Sequence, residues 1–305
     1  MNSKPKTKVF LTGASGLLGR AIKARFEQEG WVVYGVALTR LSETVHKLDL
    51  MSQADVEKAI TESKPDVVIH AAAQRFPDKV DADPEAARQL NVQATSHVVQ
   101  AAAKHNIPVI YISTDYVFDG NKNAPYKISD IPNPLNLYGE TKLEGEKVTL
   151  RQEGNIVLRV PVLYGPVESL KESAVTCLLE PLLNNGTIVK VSNVERRCPS
   201  HVDDIALICF QLATARLKDQ SVAGVFMWCG KEKMTKHQMV LGIAKIFEIS
   251  CKHIQPDETS GSNTKRPLDT ELSRSRLEEL GFGQHTPFNT GIAAVLSPWV
   301  NSKHN

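Results

Sequence analysis

"FLTGASGLLGR", residues 10–20, decides the fold. A short apolar run, "KVFLTG" (8–13), ends in glycine, and further glycines follow at 16 and 19. "GLLGRAIKARFEQEG" (16–30) then has helical spacing, with Gly30 as its stop. Small residues at a strand-to-helix turn let the backbone approach a pyrophosphate. The helix N-terminus supplies N–H donors and the positive end of its dipole. Glycine spacing alone is a weak signal; its place after the first strand of a βαβ unit strengthens it. Gly13, Ser15, Gly16, Leu17, Leu18, Gly19 and Arg20 are therefore expected to line a dinucleotide site. The alternative is a tight turn with no ligand.

Outward from this turn, strands and helices alternate. "WVVYGVAL" (31–38), "PDVVIHAAA" (65–73), "PVIYISTD" (108–115) and "NIVLRVPVLYG" (155–165) read as strands. "SQADVEKAITESK" (52–64, Ser52 as N-cap), 83–106 and "YGETKLEGEKVTLRQ" (138–152) read as helices. Strands that are continuous apolar runs separated by helices imply a parallel sheet covered on both faces. The expected fold class is α/β, a Rossmann-type doubly wound parallel sheet with a smaller, mostly helical C-terminal region. Residues 1–165 would form the dinucleotide-binding domain, completed by elements within 200–230, and 166–305 the smaller region. In that second part, helices are expected at 172–186, 201–217, 235–249 (Thr235 as N-cap) and 270–283, a strand at 224–230, and a polar loop at 256–267.

The 305 residues, 42% apolar and 23% charged, have the balance of a soluble globular protein. A net charge of +2 gives no electrostatic case for nucleic acid or an anionic membrane. Five cysteines (177, 198, 209, 229, 251) form no CxxC, and the nine histidines form no spaced cluster, so neither a metal site nor a disulfide frame is expected. No signal peptide or membrane-length apolar stretch is visible, which suggests a cytoplasmic protein, the nucleus being left open.

An acid at the end of the second strand would favour NAD by holding the ribose 2′-hydroxyl. That strand here ends "GVALTRLSE", with Arg40 and no acid before Glu43. Arg20 and Arg40 suit a 2′-phosphate, which favours NADP(H); a solvated surface charge is an even alternative for Arg20. Asp49 and Leu50 in "KLDL" are candidates for the adenine end, although Asp is also a common turn residue. Arg75 follows a strand's C-terminal end, where open sheets bind ligands.

Ser113 and Thr114 end a strand, and Tyr138 and Lys142 stand one helical turn apart. A carbonyl reductase needs a phenol to protonate the forming alkoxide. Free tyrosine titrates near pH 10, so a neighbouring ammonium that lowers the value is expected of Lys142. A lone YxxxK is weak; with the glycine turn and the hydroxyl pair it becomes strong. Through "STDYVFDG" (113–120) and "PLNLYGETKLEGEK" (134–147), residues 8–165 resemble the extended short-chain dehydrogenase/reductase superfamily, in its dTDP-4-dehydrorhamnose reductase branch. The resemblance implies a Thr114–Tyr138–Lys142 triad. It also implies cofactor contacts from Ala71, Ala72, Ala73, Ser113, Arg159, Val160 and Pro161.

The second half narrows the resemblance. "LYGPVESLKESAVTCLL" (163–179), "RRCPSHVDDIA" (196–206), "GKEKMTKHQM" (230–239) and the stretch 265–292 are similar to the family of beta regulatory subunits of methionine adenosyltransferase. That implies an NADP(H)-binding, non-catalytic subunit. It would dock on the catalytic subunit as a hetero-oligomer and modulate S-adenosylmethionine synthesis. The alternative is an NADPH-dependent 4-keto-sugar-nucleotide reductase, since all three triad members are present. By the same analogy Arg197 and His201 would face the substrate cleft; a structural salt bridge is the other reading of Arg197. In that family the C-terminal tail reaches into the partner. This tail, "GIAAVLSPWVNSKHN", is shorter, and Trp299 reads equally as an anchor or as packing.

Overall fold

The computed structural model describes residues 6–184, 186–259 and 264–301. Its strands are β1 Lys8–Thr12, β2 Val32–Ala37, β3 Val45–Lys47, β4 Val67–His70, β5 Val109–Thr114, β6 Ile156–Val160, β7 Leu163–Tyr164, β8 Val189–Ser192, β9 Arg196–Arg197, β10 Ser200–His201, β11 Gly224–Met227, β12 Met234–Thr235 and β13 Ile254–Asp257. Its helices are α1 Leu17–Gln28, α2 Gln53–Ser63, α3 Pro77–Ala82, α4 Pro84–Arg88, α5 Ala94–Ala103, α6 Leu137–Leu150, α7 Leu179–Leu183, α8 Val202–Lys218, α9 Lys236–Ile246, α10 Ser275–Glu279 and α11 Phe288–Asn301.

Seven strands form one sheet in the order β11-β6-β5-β4-β1-β2-β3, and every pairing within it is parallel. The apolar runs explain this. Along β1, Val9 and Leu11 join one core with Ile22 and Phe26 of α1 and Ile205, Ile208 and Leu212 of α8. Phe10 between them joins the opposite core with Val56 and Ile60 of α2 and Val98 of α5. A strand that must be apolar on both faces loses its alternation, and it needs helices on both sides. Chain order reverses at β1, with β2 on one side and β4 on the other, so the crevice lies at their C-terminal ends. As expected, Ser52 caps α2 by accepting from the Asp55 amide, and Thr235 caps α9 in a capping box with Gln238. The strand expected at 224–230 joins the sheet beside β6.

A second apolar core lies off the sheet. Leu179, Leu182, Val240, Ile243, Phe288, Ile292 and Leu296 fill it, with the parallel pair β8–β13 alongside. Here several expectations need correction. The helix expected over 172–186 is two short 3-10 turns, Leu170–Glu172 and Thr176–Leu178, followed by α7, which ends at Leu183. The helix expected over 270–283 shrinks to α10, because Glu271 and Leu272 are taken up by bridges to Tyr126. The helix expected over 83–106 is interrupted by a wide π turn, Gln89–Gln93. The loop expected at 256–267 begins inside β13, and its residues 260–263 lie outside the described residues. Helix α11 was not anticipated. Trp299 on it packs against the second core, and tail residues 302–305 lie outside the described residues.

Candidate functional site

The glycine turn is built by close approach. Gly13 has φ of 66°, and a Cβ on it would sit 2.8 Å from the Ala72 amide nitrogen across the crevice. A Cβ on Gly19 would sit 2.0 Å from the Gly13 carbonyl oxygen, so only glycine lets α1 start this close to β1. Gly16 is the N-cap of α1 and offers no side-chain cap, which leaves the first N–H groups of the helix facing the crevice. Such a cradle suits a diphosphate.

Behind it runs a buried hydrogen-bond chain that the sequence reading missed. The Ala71 and Ala72 amides both donate to Thr12 Oγ1, each at 3.2 Å. The Thr12 hydroxyl proton is therefore directed to His70 Nδ1, 2.7 Å away, which places the ring proton on Nε2 toward Thr95 Oγ1 at 3.0 Å. Thr95 in turn donates to the Asn91 carbonyl at 2.8 Å. The π turn aims Asn91 inward, where it clasps Gln74 (its amide to Asn91 Oδ1, 2.8 Å) and donates to Thr141 at 3.0 Å. The loop after β4 is thereby tied to α6. Burial lowers the His70 pKa to about 3, so the ring is neutral.

A cleft of about 630 Å³ opens over this frame. Of the residues expected to hold a cofactor, Gly13, Ser15, Gly16, Leu17, Leu18, Gly19, Arg40, Asp49, Leu50, Ala71, Ala72, Ala73, Arg75, Ser113, Val160 and Pro161 line it, together with Thr114, Tyr138 and Lys142. Two do not. Arg159 is buried beneath the cleft, donating from Nε (2.9 Å) and Nη2 (2.7 Å) to the two carboxylate oxygens of Glu146. Ser113 also donates to Glu146 at 2.5 Å. Arg20 faces an adjoining hollow and holds Glu172 with both arms of its guanidinium, at 2.9 and 2.8 Å.

Helix α6 is capped by Asn136, whose side chain accepts from the Gly139 amide, so Tyr138 and Lys142 fall on its first two turns. Lys142 is buried and Tyr138 half-buried, and both line the cleft. The expectation that Lys142 lowers the Tyr138 pKa is not met. Lys142 Nζ donates to the Ile112 carbonyl at 2.7 Å and lies 4.1 Å over the Tyr111 ring. Burial brings its pKa down to about 7, with Glu146 acting in the opposite direction. Burial, reinforced by Asp115 and Tyr116, raises the Tyr138 phenol to about 12; Thr114 and Arg75 counter only part of it. Thr114 itself donates to Asp115 Oδ1 at 3.1 Å. Asp115 is a fully enclosed carboxyl that also accepts from Thr270, and burial raises its pKa. The sequence reading passed over it, although it adjoins Thr114 in "STD".

The cleft is also lined by Arg75, Lys171, Arg197, Lys236 and Arg266. Arg197 is held by the Arg196 carbonyl at 2.7 Å and lies over Tyr116, 5.3 Å from its ring centre. His201, expected in the cleft, instead caps α8 through the Asp203 amide and packs edge-on against Tyr164. Among the described residues no helix is long and apolar enough to cross a membrane, and no His/Cys/Asp/Glu group has the form of a metal site.

The family described as RmlD substrate binding domain matches residues 7–300. The chain is 44% identical over 301 residues to methionine adenosyltransferase 2 subunit beta of Bos taurus, covering 98% of this chain and 90% of that one. It is 31% identical over 238 residues to a dTDP-4-dehydrorhamnose reductase of Aggregatibacter actinomycetemcomitans, covering 77% and 78%. A solved dTDP-4-dehydrorhamnose reductase from Bacillus anthracis, in complex with NADP, superposes with a TM-score of 0.84 at 22% identity, covering 96% of this chain and all of that one. By the span and identity of these matches, the chain belongs to the RmlD substrate binding domain family and, within it, to the methionine adenosyltransferase beta subunits.

Proposed function

We propose that this protein is a regulatory subunit that binds NADP(H) and docks on the catalytic subunit of methionine adenosyltransferase, modulating S-adenosylmethionine synthesis. The observation that carries the reading is the likeness to named beta subunits over 98% of the chain. The cleft supports the cofactor part. Its glycine cradle has the shape and N–H donors for a diphosphate, and Arg40 stands at the strand end where a 2′-phosphate would come. When bound, the nicotinamide would supply hydride chemistry. Lys142 Nζ donates to the Ile112 carbonyl, and the Tyr138 phenol keeps its proton across the neutral range, so it can hold a ligand oxygen or donate to one. Sedimentation of this chain mixed with the catalytic subunit, with and without NADPH, tests the proposal. A stable complex is expected, and none at micromolar concentrations would overturn it.

A second reading, an NADPH-dependent reductase of a 4-keto-sugar nucleotide, has its own support. Thr114, Tyr138 and Lys142 meet in one cleft, which Arg75, Lys171, Arg197, Lys236 and Arg266 also line. NADPH oxidation with such a sugar nucleotide, abolished by Tyr138→Phe, would establish it; no turnover at high enzyme concentration would dismiss it.

A further inference from the structure

The two arginines that suit a 2′-phosphate already hold an anion from their own chain. Glu172 ends the 3-10 turn after β7 and lies 152 residues from Arg20 in sequence. Arg20 grips its carboxylate with both arms, and Arg40 Nη1 donates to Glu172 Oε1 at 2.8 Å and to Glu168 Oε2 at 2.9 Å. Arg75, across the cleft, donates to the Glu172 backbone carbonyl. The Glu168 amide adds a bond to Glu172 Oε2 at 3.1 Å, and Arg20 also reaches the Pro166 carbonyl. The Glu172 side chain is only 7% exposed, whereas Glu168 is 56% exposed. Although burial alone would raise it, the hydrogen bonds from Arg20 and Arg40 hold the Glu172 carboxyl at a pKa of about 2. It is an anion throughout the physiological range. Arg40 itself has φ of 54°, a left-handed conformation uncommon for a residue with a Cβ, so its backbone is strained in the posture that makes these contacts.

We propose that Glu172 is an internal counter-anion that competes with the cofactor's 2′-phosphate for Arg20 and Arg40, and so sets the discrimination between NADP(H) and NAD(H). The proposal rests on the cofactor reading above and deepens it. A dianionic phosphate arriving at Arg40 meets a carboxylate already bonded to the same guanidinium, and like charges at that range oppose each other in a partly enclosed site. Either the phosphate binds weakly or the carboxylate withdraws. If it withdraws, the segment 166–173 loses its contacts to Arg20 and Arg40. The 2′-phosphate would then loosen this segment, while a dinucleotide lacking it would leave the clasp closed. The strap thus gives the chain a way to report which dinucleotide it holds.

The test is a titration of the full chain, wild type and Glu172→Gln, with NADPH, NADH, adenosine 2′,5′-bisphosphate and 5′-AMP. In the variant the two 2′-phosphorylated ligands should bind roughly tenfold tighter, the scale of one charge-assisted contact. NADH and 5′-AMP should stay within about twofold, as expected for ligands that make no phosphate contact there. An unchanged or lowered NADPH-to-NADH preference overturns the proposal and leaves Glu172 as a structural clamp. Should Glu172→Gln fail to fold, Glu168→Gln removes one exposed Arg40 contact. It should shift the preference the same way by a smaller factor, and no shift is again a refutation. Hydrogen exchange of wild-type 166–173 supplies a second readout: NADPH should raise it and NADH should not, and equal protection by both contradicts the competition. If wild type binds neither NADPH nor NADH, the cofactor reading itself falls and this proposal with it. Binding of both with an unchanged preference removes this proposal alone.

Discussion

His70 is neutral because its two ring nitrogens are both spoken for in a fully enclosed site between Thr12 and Thr95. Its folded-state pKa of about 3 lies below the ordinary 6.5, so the unfolded chain takes up this proton first as pH falls. Its contribution to stability is complete above pH 6.5 and is lost progressively as pH falls toward 3. The slope for one such group is about 1.4 kcal/mol per pH unit. Urea unfolding at several pH values between 6.5 and 4 should show stability falling with acidification, and His70→Gln should remove about one proton's worth of that slope. A variant with the wild-type slope would mean that His70 is charged in the folded protein. This residue shows what a sequence hides. His70 stands in the strand "VVIH", and nothing local tells a core histidine from a ligand, because both partners come from other elements. The same holds for Arg159, whose partner Glu146 lies on α6, and for Glu172, whose partners lie on α1 and in the loop after β2.

At the scale of the element, the strand–turn–helix unit at 8–28 is the feature most legible beforehand, because local sterics fix it. Gly19 shows how tightly. A methyl group there would meet backbone atoms of Gly13 and Ala14 at 2.0–2.9 Å, and backbone cannot yield as a flexible side chain does. Gly19→Ala should cost about 2–4 kcal/mol by overpacking and should abolish dinucleotide binding by pushing α1 off the cradle. At Gly16 the nearest contact is 3.2 Å, so Gly16→Ala should lose far less stability. Thermal melts and NADPH titrations of both variants check the contrast, and similar losses in the two would refute it. Elements beyond residue 165 were less legible because tertiary contacts decide them. Leu170–Leu178 is bent into two short turns while Ser173 and Thr176 satisfy the Leu163 and Leu170 carbonyls. Helix α11 escaped notice although Ile292, Val295 and Leu296 recur at helical spacing, with Pro298 inside the same run.

On the scale of the whole molecule, the sheet with its flanking helices and the second core meet at Tyr164. It sits on β7 just past β6, packs edge-on against His201 at the start of α8, and reaches Phe288 of α11. A Cβ on Gly291 would lie 2.5 Å from the Tyr164 hydroxyl oxygen, so α11 can settle only because that position is glycine. The ring itself makes the joint by its edge-on contacts with His201 and Phe288. The hydroxyl is another matter. It is buried, no hydrogen-bond partner is found for it among the described residues, and burial, with Asp204 and Glu232 nearby, raises its pKa strongly. A buried polar group without a partner costs about 1–3 kcal/mol relative to its hydrated form, so removing it while keeping the ring relieves that cost. Tyr164→Phe should therefore be neutral or stabilising by about 1 kcal/mol, a rise of about 2 °C in melting temperature. Tyr164→Ala, which deletes the ring, should cost about 3–5 kcal/mol and loosen α11 from the sheet. Differential scanning calorimetry of the two variants separates the contributions. A loss of more than 1 kcal/mol in Tyr164→Phe would show that the hydroxyl is bonded to a buried water and that the joint is polar, whereas the expected pair of results makes shape alone the link between the cleft and the C-terminal helix.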